Sequence, residues 1–238
     1  MARLNDAGTE LSLGDIAYLR IRHDILCCRI LPGAMITESE LMENYGLGKS
    51  SCRVALARLS QEHLVESRPR KGYRIAPITV QDVEEIFSLR IQLEPFAARL
   101  AVGKVNIEEL RQLEAACRVE LQAPLPEQID VFMNANKRFH LAIAKASGNK
   151  HLIRTLSSLM DEISRLVALG FNVQKTKPEI KHDHNAMIQA FIDGDAKRVE
   201  LIARRHIETF QVMTLEKVYA TLSKGGAVLP ILERSIYP

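Results

Sequence analysis

Three histidines of this chain have the spacing of a metal site. Asn136 and His140 are four residues apart, so on one helix both side chains can reach a single ion. His184 and His206 flank a turn at 193–195 and, at about 1.5 Å per residue, lie at nearly the same distance from it. If the flanking segments form an antiparallel helix pair, the two imidazoles meet. Neutral imidazoles suit Zn²⁺ or Ni²⁺ better than Ca²⁺ or Mg²⁺, so the spacing predicts a transition-metal site.

The same histidines allow two other interpretations. A histidine on an apolar helix face is more often a packed core residue than a ligand, and then no metal binds. A metal-dependent hydrolase would need a general base beside an open metal position. The sequence has no HExxH motif, no nucleophile elbow and no paired carboxylates flanking the histidines. The hydrolase is therefore the alternative and not the leading hypothesis.

Positive charge is concentrated in the segment 49–74. This segment has seven lysines and arginines and two glutamates, a local net charge of +5 in a chain whose net charge is +3. Such a basic surface attracts phosphate, although a solvated charged face has the same composition. Arg53 is long enough to donate two hydrogen bonds to a guanine edge, and Lys49 is expected at a phosphate.

Other residues of this segment can add to DNA binding. Ser50 and Ser51 can hydrogen-bond either a base or a phosphate. Arg70 and Lys71 follow Pro69 in a turn, from which they can enter the adjacent minor groove or follow its backbone.

Periodicity and turn residues predict the elements that position the basic segment. Thr37 and Glu40 have the spacing of a capping box at the start of a short helix. The expected elements are a helix at 14–28, this short helix ending near Tyr45, a break at 46–48, a helix at 49–61, and strands at 64–68 and 72–76. Their order is typical of a winged helix-turn-helix, which we place at 12–77.

From residue 80 onward the hydrophobic pattern is helical almost throughout. Helices are expected at 80–102, 106–122, 126–147, 149–170, 178–193 and 195–222. The fold class is therefore mainly α, with an N-terminal winged helix-turn-helix and a C-terminal bundle of about six helices at 80–222. The residues 223–238 are expected to form an irregular tail.

Composition limits the location of the protein. No apolar run approaches the ~20 residues that span a bilayer, and the first ten residues lack the apolar region of a signal peptide. The four cysteines, Cys27, Cys28, Cys52 and Cys117, form no CxxC pair. We expect a cytoplasmic protein with free thiols and no membrane partner.

The N-terminal motifs resemble the winged-helix domain of GntR-superfamily regulators. The resemblance covers roughly residues 14–76 and is carried by Ile30–Gly33, Glu38–Leu41, Gly46–Leu59 and Arg70–Tyr73. It implies that a homodimer binds a palindromic operator. The residues expected at DNA are Ser39, Lys49, Ser50, Ser51, Arg53, Arg70, Lys71 and Gly72.

This chain departs from the family pattern at the start of the recognition helix. Gly48 stands where the family often has Ser, Lys49 where Arg is usual, Ser51 in place of Pro and Val54 in place of Glu. Lysine cannot form the planar two-donor fork of arginine. The operator sequence of relatives therefore does not carry over to this chain.

The C-terminal half resembles the FCD effector domain of FadR-type regulators over about residues 80–215. The motifs are Leu89–Ala98, Asn136–Leu152 and His184–His206. The family's metal ligands, one Asp and three His, fall on Asn136, His140, His184 and His206, with a weaker amide ligand in place of the carboxylate.

The resemblance also implies an organic-acid effector whose carboxylate meets the metal. Arg90 is expected to bind this effector or to help close the pocket, and the alternative is a surface ion pair with Glu94, four residues later. The leading hypothesis is an effector-controlled transcriptional regulator and not an enzyme. A winged-helix module that binds protein or RNA, with histidines merely packed, is a third possibility.

Overall fold

The computed structural model describes residues 11–118, 125–168 and 178–223, so most of the tail expected at 223–238 lies outside the described residues. The chain divides into two compact units between Ile78 and Thr79. Within the described residues, no helix is both long and apolar enough to cross a membrane.

The first unit is a winged helix-turn-helix, as predicted. Its elements are α1 (Leu13–Leu26), β1 (Met35–Ile36), α2 (Glu38–Tyr45), α3 (Lys49–Gln61), β2 (Val65–Arg68) and β3 (Gly72–Ile75). The strands form an antiparallel sheet in the order β1-β3-β2. Tyr73 of the central strand β3 lies opposite Ile36 of β1 and opposite Ser67 of β2. Strand β1 was not predicted, because two residues are too few to show an alternating pattern.

The start of α2 is fixed by the predicted capping box. The Thr37 hydroxyl accepts a hydrogen bond from the Glu40 amide at 3.2 Å, and the Glu40 carboxylate accepts one from the Thr37 amide at 2.8 Å. Helix α3 begins differently, because Gly48 is its N-cap and supplies no side-chain hydrogen bond. The first amides of α3 therefore have no side-chain cap.

Helices α1 and α3 pack together to form the core of the first unit. Ile21 and Ile25 of α1 and Leu56 and Leu59 of α3 are fully buried. A polar contact at the edge adds to this packing, since Arg58 donates to Asp15 at 2.6 Å and its guanidinium lies 3.7 Å from the centre of the Tyr18 ring. Cys52 and Ala55 of α3 are buried as well, whereas Arg53, Val54 and Ala57 on its other side are exposed.

Gly72 allows β1 to approach the hairpin. Its φ is +93°, and a Cβ at this position would lie well under 3.0 Å from the backbone oxygen of Ile36. A side chain would therefore push β1 away from β3. Gly72 was expected at DNA, and the structure gives it this packing role in the sheet.

The second unit is all helical within the described residues, as predicted. Its helices are α4 (Val80–Ala101), α5 (Ile107–Ala116), α6 (Leu125–Ala146), α7 (Lys150–Ala168), α8 (Pro178–Ile192) and α9 (Ala196–Ser223). Helix α5 was predicted to end at residue 122, but it ends at Ala116, with Cys117 as its C-cap. Residues 119–122 lie outside the described residues.

The core of the second unit lies among α4, α5, α6, α8 and α9. Its buried members include Ala98, Phe139, Met187, Phe191 and Ile202. Helix α4 packs against α9 and α6, α5 packs against α6 and α8, and α8 packs against α9. Buried polar side chains of these helices, among them His140, His184 and His206, therefore lie in a largely apolar surrounding.

We expect Gly72→Ala to destabilise the first unit by about 2 kcal/mol, because it combines a clash with Ile36 and a strained backbone. Native-state hydrogen exchange of the β3 amides measures this loss. Gly46→Ala is the control: Gly46 also has a positive φ, +63°, but nothing within 4 Å of its Cβ position, so it should cost only about 1 kcal/mol. Equal costs for the two variants would contradict the packing role of Gly72.

Candidate metal centre and DNA-contact surface

Three buried imidazoles converge in the second unit. His140 on α6, His184 on α8 and His206 on α9 are 6%, 3% and 3% exposed. One ring nitrogen from each lies within 4.8 Å of those of the other two. Two nitrogens on one Zn²⁺ are at most about 4.2 Å apart, given Zn–N distances near 2.1 Å, so a small side-chain movement would bring all three onto one ion.

Carboxylates fix the orientation of two of these rings. Glu94 accepts from Nδ1 of His140 at 2.7 Å, and Glu114 accepts from Nδ1 of His184 at 2.6 Å. A carboxylate can only accept, so Nδ1 carries the proton and Nε2 has a free lone pair. Within the described residues neither Nε2 has a hydrogen-bond partner. Two buried acceptors without partners are costly unless an ion or a water satisfies them.

The third ring has a looser partner. Nδ1 of His206 lies 3.6 Å from Asp183, beyond hydrogen-bond distance. Asp183 directly precedes His184 in the sequence and belongs to the same helix. The three histidines therefore each face a buried carboxylate, which is the usual arrangement behind metal-bound imidazoles.

An arginine stands behind each carboxylate. In each case one carboxylate oxygen faces the histidine and the other accepts from the guanidinium. The pairs are Arg90 with Glu94 at 2.5 Å, Arg118 with Glu114 at 2.7 Å and Arg205 with Asp183 at 2.6 Å. The arginines neutralise the carboxylates, so the three histidine–carboxylate–arginine sets add no net charge while the imidazoles are neutral.

The lowered pKa values of His184 and His206 keep these two rings neutral. Burial would raise the pKa of Glu94, but the charge of Arg90 and the contact with His140 outweigh it and hold this pKa at about 2. Burial lowers the pKa of His206 to about 3 and also lowers the pKa of His184. A neutral imidazole is the form that binds a metal ion.

Arg90 is in the core and not at the surface. It is 1% exposed, so a surface ion pair with Glu94 is ruled out as its environment. Its guanidinium lies 5.4 Å from the ring centre of Phe87 and 5.9 Å from that of Phe210. Nη1 is buried and has no hydrogen-bond partner among the described residues.

A small cavity adjoins His140 and His206. Its polar lining is Glu94, His140 and His206, and the rest is Ala97, Ala98, Ile143, Leu156, Met187 and Ala203. Its volume is about 10 Å³, which is room for one water molecule or one ion. Asn136 is buried one helical turn before His140 but is not among the lining residues. An organic acid does not fit unless the cavity enlarges.

A second group of possible ligands shares His184. One atom each of Glu114, Cys117 and His184 lies within 4.8 Å of the others. Burial, with the nearby Glu114 charge, raises the pKa of the Cys117 thiol to about 12, and Arg118 already pairs with Glu114. The thiol therefore stays protonated, and we interpret this group as part of the support of His184.

The residues expected at DNA lie on one end of α3, at the start of α2 and on the hairpin turn. Lys49, Ser50 and Arg53 are exposed at the start of α3, and Ser51 is half-buried there. Ser39 is exposed on α2, and Arg70 and Lys71 are exposed between β2 and β3. Arg53 is not tucked into the core: its side chain is 60% exposed.

Part of the positive charge of the segment 49–74 is paired within the first unit. Arg53 contacts Glu38, Arg58 contacts Asp15, and Arg68 contacts Glu66. The cations that lie at the ends of α3 and of the hairpin, Lys49, Arg70 and Lys71, have no ion pair among the described residues. The local charge available to a phosphate is therefore smaller than the sequence count suggests.

Sequence reasoning missed the carboxylates of both sites. Glu114 is 70 residues from His184, and Glu38 is 15 residues from Arg53, so no local pattern marks either contact. Asp183 could have been found from its place beside His184. Glu94 was named only as the partner of Arg90.

Two family models match the chain. Residues 85–209 match the FCD domain, and residues 13–75 match the family described as bacterial regulatory proteins, gntR family. The two matches fall within the second and the first unit respectively.

Full-length relatives are similar to this chain over most of their length. An uncharacterized HTH-type transcriptional regulator, YdhC of Bacillus subtilis, is 27% identical over 191 residues, which are 80% of this chain and 84% of that protein. The HTH-type transcriptional repressor GlaR of Escherichia coli is 26% identical over 200 residues, 81% of this chain and 91% of that protein.

Solved structures share the fold. McbR/YncC of E. coli aligns with a TM-score of 0.73 and 21% identity, covering 88% of this chain and 99% of that one. A GntR transcriptional regulator from Rhodococcus sp. RHA1 aligns with a TM-score of 0.72 and 15% identity, covering 87% and 99%.

We expect the metal-free second unit to lose stability as the pH falls from 6.5 toward 5. The pKa of His206 is about 3 in the folded chain, against 6.5 for a histidine exposed to water, so protons bind the unfolded chain first. The free energy of unfolding should then fall by about 1.4 kcal/mol per pH unit for each such histidine. Chemical denaturation in chelator, followed by circular dichroism, measures this slope.

The matched variants are His206→Gln and His151→Gln. The first removes a buried histidine and should flatten the slope, whereas His151 is exposed on α7 and its replacement should leave the slope unchanged. The carboxylates act below this range, because their stabilising contribution is lost only as the pH falls below their unfolded pKa values of 4.5 and 3.8. The same slope in His206→Gln and in the unaltered chain would contradict the burial of a neutral imidazole.

Proposed function

Since the chain belongs to the gntR family of bacterial regulatory proteins and has the FCD domain of that family, we propose that it is a DNA-binding transcriptional regulator controlled by a small anionic effector at a metal centre. DNA binding and regulation follow from the family. The metal, the effector and the residues that bind them are our proposal. The observation that carries it is the meeting of three buried imidazoles, two of which have an Nε2 atom with no partner in the described part of the chain.

The proposed metal ligands are His140, His184 and His206, with Asn136 as a weaker fourth. The donor set of three neutral imidazoles and one amide favours Zn²⁺ or Ni²⁺. The unpartnered Nε2 atoms and the carboxylates on the far side of the rings support a bound ion. Such an ion would act as a Lewis acid that binds an effector carboxylate.

Charge favours an anionic effector. Each carboxylate near the histidines is neutralised by its arginine, and Asn136 is neutral, so these groups of the described chain do not balance the two positive charges of a divalent ion. A buried uncompensated charge is expensive, and a carboxylate from outside would balance it. We place Arg90 at the effector, because its buried Nη1 is a donor without a hydrogen-bond partner among the described residues.

The effector must enlarge the cavity in order to bind. The present volume, about 10 Å³, holds an ion but no organic acid. Binding is therefore coupled to movement of the surrounding helices. A coupling of about 1–3 kcal/mol between this movement and DNA binding is enough for a regulatory switch.

We assign DNA contact to the start of α3 and to the hairpin turn. The uncapped amides of α3, together with Lys49, suit a phosphate, and Arg53 suits a guanine edge. Ser50, Ser51 and Ser39 would add hydrogen bonds, and Arg70 and Lys71 would reach the neighbouring groove. Gly72 would bring the backbone of the turn close to DNA. A homodimer would place two copies of α3 on the halves of a palindromic operator.

An enzymatic role is not supported. The family models and the relatives that match this chain are transcriptional regulators, so the metal-dependent hydrolase considered from the sequence is set aside.

Lys49→Ala and Arg53→Ala should weaken DNA binding in different ways. Loss of a phosphate contact at Lys49 lowers affinity for all duplexes and reduces the salt slope by about 1. Loss of a base contact at Arg53 removes about 2 kcal/mol of discrimination between duplexes. Fluorescence anisotropy at several salt concentrations separates the two effects. Lys104→Ala, an exposed lysine of the second unit, is the control, and a salt slope as low in this variant as in Lys49→Ala would contradict the assignment.

His184→Ala should abolish the uptake of Zn²⁺ or Ni²⁺, which calorimetry and elemental analysis measure. His151→Ala, which replaces an exposed histidine, should take up the ion as the unaltered chain does. Asn136→Asp should raise metal affinity, because a carboxylate is a better ligand than an amide. Full metal uptake by His184→Ala would refute the metal centre.

The same variant tests the regulatory role. The affinity of the metal-loaded protein for DNA from the region upstream of its own gene is measured with and without mono-, di- and tricarboxylic acids. We expect an acid to change the affinity of the unaltered chain and to have no effect on His184→Ala, whose basal DNA binding is retained. An equal response in both proteins would show that the effector acts elsewhere.

A further inference from the structure

Glu38 is the first residue of α2, and its backbone position is fixed. The capping box between Thr37 and Glu40 closes around it. The Glu38 backbone oxygen also accepts a weak hydrogen bond, at 3.8 Å, from the thiol of Cys52, which is buried on α3. The start of α2 is thereby held against the first turns of α3.

From this position the Glu38 side chain reaches the exposed side of α3. Its two carboxylate oxygens lie 3.1 and 3.2 Å from Nε of Arg53 and accept from it. Among the described residues, Nε is the only atom of this guanidinium with a hydrogen bond. An ion pair between side chains as exposed as these adds little to folding stability, so the contact needs another explanation.

The contact divides the guanidinium into two edges. Nε faces Glu38, and the other edge, Nη1 and Nη2, keeps two parallel donors. Two parallel donors match O6 and N7 of guanine in the major groove. An arginine held at Nε also has fewer rotamers to lose when it binds a base.

We propose that Glu38 is a positioning residue for base recognition, holding Arg53 so that its Nη edge meets guanine and does not turn to a phosphate. The proposal rests on the assignment of Arg53 to a base and goes one step beyond it. Glu38 is an anion close to a polyanion, so it lowers affinity for DNA of any sequence while raising the preference for one base. Its removal should therefore change the two quantities in opposite directions.

The experiment starts with duplexes that the full chain selects from a randomised pool. Affinity is then measured for the selected duplex and for duplexes with one base pair changed. In Glu38→Ala, we expect preference for guanine at one position to fall about tenfold while affinity for unrelated DNA stays the same or rises. Glu38→Gln keeps an acceptor for Nε and should retain part of the preference.

Two controls separate positioning from charge. Glu43→Gln removes the same charge from an exposed position of α2 and should leave base preference unchanged. In Arg53→Ala, the preference for guanine at this base pair should be lost. The double variant Arg53→Ala with Glu38→Ala should then show the same base preference as Arg53→Ala alone. A hydrogen-exchange profile like that of the unaltered chain shows that each variant is folded.

The possible failures are distinct. Unchanged base preference in Glu38→Ala, or a further loss when it is combined with Arg53→Ala, overturns the role of Glu38. Unchanged preference in Arg53→Ala overturns the assignment of Arg53 itself. A uniform loss of affinity for all duplexes in Glu38→Ala indicates a structural role and also overturns the proposal.

Discussion

Burial of uncharged imidazoles is the constraint on which the second unit depends. An imidazole in an apolar core must satisfy two nitrogens, one a donor and one an acceptor. Here the donors of His140 and His184 are satisfied by carboxylates, and each carboxylate requires an arginine in turn. The need to pair these groups explains why Arg90 is in the core, where a lone arginine would be strongly unfavourable.

In the first unit, by contrast, the ionised side chains among the described residues are not buried in the core. Its ion pairs lie at the surface, and its stability comes from the apolar contact of α1 with α3 and from capping of α1 and α2. Surface cations can then be placed for a partner without a large cost to folding. The uncapped start of α3 and the exposed side chains around it are consistent with a surface shaped for an anion.

Local sequence patterns predicted the helices and most of the strands, but they did not predict contacts between residues that are distant in the sequence. The Thr37 and Glu40 spacing gave the start of α2, and the turn at 193–195 allowed the depths of His184 and His206 to be compared, because the rise of a helix is constant. The contacts of Glu114 and Glu38 depend on how helices pack, which spacing does not encode. The i,i+4 spacing of Arg90 and Glu94 indicated contact correctly, but it carries no information about burial.

The small cavity has a consequence for the proposed binding of an effector. If only an enlarged form of the second unit accepts the effector, the apparent dissociation constant equals the intrinsic one divided by the fraction of molecules already enlarged. Apolar lining residues such as Leu156 and Met187 would then set this fraction through their packing. The effector concentration that the proposed mechanism requires would therefore change with core packing, even if the proposed effector ligands stayed the same.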